Sequence, residues 1–203
     1  DLVASLNRMP LGPLGRWNYR VGFVLRDLSA INSNDGDDGS LPTLNTTGWG
    51  ITTGGRQPIT RWGEEDYILW QLTYGEGIGH YINDLSSVGG GDAVFDPAGK
   101  LHALPVFSGY GSYIHRWPMN WRFLKKWPGI LRSSLTFSWV DINNFDFQDG
   151  SAYDRTMRAS VNLMYNPTKN IQGGIEYLWG TRKNKDGSKG NATQFQFALR
   201  YIF

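Results

Sequence analysis

The chain has no cysteine, few charges and no long apolar run, and each shortage removes a class of protein. Without thiols there is no disulfide framework and no thiolate metal site, which suits an oxidising envelope compartment. No uncharged apolar stretch approaches the roughly 18 residues that a membrane-spanning helix needs, so a helical membrane protein is excluded. His80, His102 and His115 lack metal-ligand spacing. Asp35, Asp37 and Asp38 begin like a calcium loop, but Thr46 stands where that pattern demands a carboxylate. Gly75, Gly77 and Gly79 miss the dinucleotide fingerprint, and no nucleophile elbow occurs. No metal, cofactor or catalytic residue is therefore expected. The opening Asp1-Leu2-Val3 carries no signal-peptide pattern, so the sequence reads as a mature or trimmed chain.

What is present is β-forming. At 203 residues, one domain covering residues 1–203 is enough. Aromatics at 14%, nine tryptophans and 26 glycines describe strands joined by many turns. The last twelve residues, Ala192 to Phe203, alternate with period two: Phe195, Phe197, Leu199, Tyr201 and Phe203 share one face, while Gln194, Gln196, Ala198 and Arg200 share the other. A soluble sandwich would bury such an apolar face against a second sheet; an outer-membrane barrel would turn it to lipid. A closing strand that ends on an aromatic carboxy-terminus resembles that of outer-membrane barrels.

The same alternation recurs at Trp17 to Arg26, 44–54, Tyr67 to about Ile82, Leu101 to Trp117, Leu131 to Trp139, Met157 to Tyr165 and Ile171 to Arg182, with a short strand at 2–8. This predicts an all-β, antiparallel transmembrane β-barrel with about nine strands in this chain. Turns are expected at Pro10, Gly54 to Gly63, Trp117 to Pro128 and Asn166; longer loops follow positions 31, 83, 144 and 184. Gly75, Gly77 and Gly79 predict a bulge or kink. The phase of Leu101 to Trp117 is open, because tyrosines fall on both parities. Single-chain bacterial barrels have even strand numbers, so an odd count means either that segment 2–8 is no membrane strand and eight remain, or that the chain is the carboxy-terminal part of a larger barrel, such as a 16-stranded porin; the second is the expectation adopted.

Taking the apolar parity as lipid-facing leaves Arg20, Arg26, Arg132, Arg158, Arg182 and Arg200 on the inner face, against Asp154 and Glu176. Such a wall focuses a positive field into a lumen. Arg158 and Glu176, on adjacent strands, could pair. Loop 83–101, with Lys100 and His102, is the candidate constriction, with an ordinary surface loop as its alternative. Trp117, Trp121, Trp127, Tyr165 and Phe203 gather at one rim as a membrane-interface girdle, which also accounts for Lys125 and Lys126 among tryptophans without nucleic acid.

Three stretches carry a family resemblance: Leu72 to Ile82 (L-T-Y-G-E-G-I-G-H-Y-I), the L-P-V-F-S-G-Y-G-S-Y within Leu101 to Trp117, and Val161 to Gly190. They resemble the DcaP-like family of outer-membrane porins, in its carboxy-terminal half. The resemblance implies a homotrimeric, many-stranded channel for small anionic solutes, including dicarboxylates, in the bacterial outer membrane. Its partners would be outer-membrane lipid and lipopolysaccharide, with no nucleic acid and no enzymatic step. Such channels are preceded by a periplasmic coiled-coil segment, which these residues do not contain. A small closed eight-stranded barrel with an adhesin or structural role is the alternative. A soluble sandwich is disfavoured, because the polar face here would have to point outward over a continuous aromatic stripe.

Overall fold

A computed structural model describes residues 2–7, 18–31, 43–59, 65–82, 85, 89–119 and 128–203, with the backbone alone for 2–7. Nine strands form one meander: β1 (Leu2–Asn7), β2 (Asn18–Ile31), β3 (Thr43–Pro58), β4 (Tyr67–Glu76), β7 (Pro105–Trp117), β8 (Ile130–Ile142), β9 (Tyr153–Thr168), β10 (Ile171–Asn184) and β11 (Lys189–Tyr201). Each pairs antiparallel with its sequence neighbour in that order. A separate hairpin, β5 (Ala93–Phe95) and β6 (Leu101–Ala103), interrupts the connection between β4 and β7. β1 and β11 are the two edges, so the sheet is open.

Because directly opposed residues share a face, the register sorts the whole sheet. One face runs Phe23, Ile51, Tyr74 and Phe107 at one height and Leu135, Val161, Tyr177 and Phe195 at another. These side chains are exposed, up to 81% for Phe197, and among the described residues no second layer covers them. A soluble sheet of this width would bury such a stripe, whereas lipid covers it without protein. The free outer face decides between the two architectures that alternation allows, against the sandwich.

The core lies on the other face. There β2, β3, β4, β7 and β8 bring Val24, Gly50, Gly75, Val106 and Ile142 into one cross-strand row. The described residues of the connection, 77–82, 85 and 89–104, fold back over that row. Ile78, at 1% exposure, Ile82, Leu85 and Leu104 pack with Val106, Ile142 and Tyr153. The chain leaves β4 at Gly77, whose φ of +68° a side chain would resist, and a short 3-10 turn follows at Gly79–Tyr81. A Cβ on Gly75 would lie 2.2 Å from the Trp49 carbonyl oxygen, and one on Gly50 would lie 2.9 Å from Ile78. These two glycines thin the wall where the folded-back segment rests.

Two boundaries differ from the sequence pattern. Gly54 and Gly55 lie inside β3, which continues to Pro58. They sit there because a Cβ on Gly54 would lie 2.6 Å from the Trp70 carbonyl oxygen of β4: the glycines serve close strand approach, and the turn comes later. The alternation from Tyr67 ends at Glu76, since Gly77 turns the chain off the sheet.

Candidate functional site

The inner face below the folded-back segment is polar and carries the arginines. One register row reads Arg20, Gly54, Gln71, Tyr110, Ser138 and Arg158, across six strands. Arg20 donates to Gln71 Oε1 at 3.3 Å. The neighbouring rows hold Thr52, Thr73 and Ser108 on one side and Ser112, Thr136 and Ser160 on the other. Thr52 and Thr73 hydroxyls lie 2.9 Å apart, and those of Ser112 and Thr136 lie 2.7 Å apart. The result is a hydroxyl-rich wall with a cavity of about 450 Å³ over Gln71, Tyr110, Ser138, Arg158 and Glu176.

Arg132, Arg158 and Arg200 make no ion pair among the described residues. Arg158 stands opposite Gly180 and Glu176 opposite Asn162, an offset of four residues along β10. At roughly 3.3 Å per residue that is about 13 Å, too far for the pairing the sequence allows. Glu176 instead accepts from Gln196 Nε2 at 2.7 Å. Arg182 lies 4.8 Å over the Tyr153 ring and donates to Asn184 Oδ1 at 2.8 Å.

Two further arginines share this face. Arg56 opposes Asn18 and Leu69 and lies 3.9 Å over the Tyr67 ring. Arg116 opposes Arg132 directly and pairs with Glu65. Like charges opposed across strands repel, and the Glu65 carboxylate offsets that cost. Sequence reading misses both: Arg56 sits where a turn is predicted, and Arg116 on the strand whose phase the tyrosines obscure. The residue count from Gly54 to Pro58 does place Arg56 on the parity of Gly50 and Thr52.

Arg26 does not face open space. Its Nη1 donates to Asp92 Oδ2 at 2.9 Å and to the Gly77 carbonyl at 2.7 Å, and its guanidinium lies 5.1 Å over Tyr81. Asp92 also accepts the His80 backbone N–H at 2.7 Å. Arg26 thus fastens the folded-back segment to the wall. Tyr81, 46% exposed, stands at the edge of the cavity. Lys100 is exposed, and the His102 ring sits against Phe145 and Phe147 of loop 143–152 rather than on the strand wall. His102 Nε2 lies 2.8 Å from Asp96; that contact and the Lys100 and Ala98 N–H groups hold the Asp96 carboxyl below its ordinary value.

At the rim nearest Phe203, Asp66 is 2% exposed. It accepts from Tyr113 at 2.5 Å and from the Arg116 N–H at 3.1 Å, and its oxygens lie 2.8 and 3.0 Å from His115 Nδ1. Burial pushes its pKa up, but the bonds from Tyr113, His115 and Arg116 outweigh burial and leave it below the ordinary carboxylate value. The Trp117 ring meets His115 edge-on at 4.7 Å, and Trp117 Nε1 donates to Ser133 at 3.1 Å. Tyr165 donates to the Pro128 carbonyl at 2.5 Å, and Phe203 is fully exposed. Trp121 and Trp127 lie outside the described residues. A second aromatic belt, which the sequence reading misses, runs through Trp49, Tyr74, Phe107 and Trp139 toward the opposite rim.

No protein-family model matches the chain, and no curated protein matches it. Among solved structures, it superposes on the outer membrane channel DcaP of Acinetobacter baumannii with a TM-score of 0.72. The fold is that of an outer-membrane channel. The match covers 99% of this chain and 51% of that one, so the chain spans about half the channel's length. Identity is 17%, and the likeness is therefore one of fold. The open nine-stranded sheet is thus similar in fold to about half of that channel.

Proposed function

We propose that the chain is part of an outer-membrane porin, a passive diffusion channel for small anionic solutes such as dicarboxylates, with no catalytic step. The observation that carries this reading is the inner face: Arg20, Arg56, Arg132, Arg158 and Arg200 stand among hydroxyls and amides, with Glu176 as the nearby acid. A low-dielectric wall focuses their field into the lumen and concentrates anions there. Guanidinium never deprotonates near neutral pH and can hold a carboxylate through two parallel bonds.

Transport also requires release. Arg20 and Arg158 are five strand spacings apart in one row. At roughly 4.8 Å per spacing that is about 24 Å of wall, longer than a small dicarboxylate. A small dicarboxylate therefore cannot bridge Arg20 and Arg158 along the wall and is not clamped between them. The folded-back segment, with Tyr81 lining the cavity and Asp92 tied to Arg26 of β2, narrows the path on one side. A homotrimer embedded in outer-membrane lipid and lipopolysaccharide is the assembly this reading expects.

Liposome swelling tests it. Vesicles carrying the full-length protein should admit a four-carbon dicarboxylate faster than a neutral sugar of similar size, and admit a diamine of that length slowest. Equal rates for dicarboxylate and diamine would remove the anion preference, and no swelling would remove the channel.

A further inference from the structure

Near the rim closest to Phe203, the inner face sets one carboxylate beside two guanidiniums. Tyr67 of β4 opposes Ile114 of β7, and continuing that register two residues past the end of β4 puts Glu65 opposite Arg116. Arg116 in turn opposes Arg132 on β8. The three form one row, in which Glu65 pairs with Arg116 and Arg132 makes no ion pair among the described residues. We propose that Glu65 is an internal competitor of the solute: its carboxylate occupies Arg116, a solute carboxylate displaces it to sit between Arg116 and Arg132, and its return to Arg116 speeds the solute's release. The inference rests on the anion-channel reading and adds a release step to it.

Three features support it. First, Glu65 is tethered where it competes best. The adjacent Asp66, 2% exposed, accepts the Arg116 backbone N–H at 3.1 Å and the Tyr113 hydroxyl at 2.5 Å, and its carbonyl accepts the Ile59 N–H at 2.8 Å. A carboxylate held one residue from such an anchor meets the Arg116 side chain at a high effective concentration. Second, the pair is open to exchange. The Glu65 and Arg116 side chains are 54% and 34% exposed, against 22% and 12% for Asp92 and Arg26, and an ion pair in contact with water is weakly held. Third, two arginines on directly opposed residues stand about 5 Å apart at their Cα atoms, close enough for both to grip one bound anion. Conduction requires that such a grip be broken, and trading one carboxylate for another at Arg116 breaks half of it with no loss of charge balance.

Uptake of a labelled four-carbon dicarboxylate into vesicles carrying the full-length protein, measured over a range of concentrations, separates affinity from turnover. Glu65→Gln should lower the half-saturating concentration by roughly two- to five-fold, the reach of an exposed ion pair, and should lower the maximal rate with it. Chloride conductance of the same variant in a planar bilayer should stay level or rise, because chloride reports the field alone and carries no second oxygen for an arginine fork. An unchanged half-saturating concentration would overturn the proposal. So would a maximal rate that rises together with chloride conductance, which is what the mere loss of a negative charge produces. Should Glu65→Gln not fold, Arg132→Gln tests the same seat with the Glu65–Arg116 pair left in place: the half-saturating concentration should rise, and no change contradicts a seat made of two arginines. Absence of dicarboxylate uptake by the wild type sinks the anion channel itself, whereas normal wild-type uptake whose kinetics Glu65→Gln leaves unaltered sinks this proposal alone.

Discussion

Asp92 joins two partners that no local pattern connects. One oxygen holds the backbone N–H of the exposed His80 and the other holds Arg26, whose side chain is largely hidden from water. Removing it takes away the carboxylate that faces the largely buried Arg26, so Asp92→Ala should destabilise the folded-back segment by on the order of 1–3 kcal/mol. The expected readout is faster proteolysis between Gly77 and Leu104 and a larger, noisier single-channel conductance; unchanged values would mean that packing of Ile78 and Leu85 alone holds the segment. Asp66 makes the complementary case at the other rim. Its folded pKa is depressed, so its stabilisation is present above the unfolded carboxylate value and is lost as pH falls through the folded one. Asp66→Asn should therefore lower the unfolding midpoint at neutral pH by an amount worth about 2 kcal/mol, and the gap to wild type should close on acidification. A gap that persists in acid would assign the effect to shape and not to charge.

At the scale of elements, outer-face phase was legible in the sequence because a strand's side chains repeat every second residue and the outer set is apolar along the middle of the strands. From Val161 to Tyr165 and from Ile175 to Trp179 the alternation alone places each side chain. The inner face was legible only where strand bounds were clear, which is why Arg158 and Arg200 were found and Arg56 and Arg116 were not. The folded-back segment was not legible as structure, although its location was marked as a candidate constriction. Its seat is Val24, Gly50, Gly75, Val106 and Ile142, residues far apart in the chain that only the register assembles. An otherwise polar face has no use for that apolar row unless something covers it. Gly50→Val should displace Ile78, whose methyl lies 2.9 Å from the new Cβ, and cost about 1–3 kcal/mol. Gly111→Ala, with open space around its Cβ, is the matched control and should leave the unfolding midpoint in place. Equal effects at both positions would contradict the seat.

For the molecule as a whole, nine antiparallel strands leave β1 and β11 running in the same direction, so the two edges cannot meet as an antiparallel pair. Closing such a sheet takes an odd number of further strands, and hydrocarbon does not tolerate an open edge. A match to about half of a channel fits that arithmetic. On the proposed reading, selectivity belongs to the closed ring, to which this arc would contribute its arginines. The measurement that reaches it most directly is the reversal potential of the full-length protein in a planar bilayer under a salt gradient. A potential of the sign set by the anion, reduced by about half or more in the R20A/R158A variant, is the predicted result. A potential set by the cation, or an anion potential untouched by the two substitutions, would contradict it.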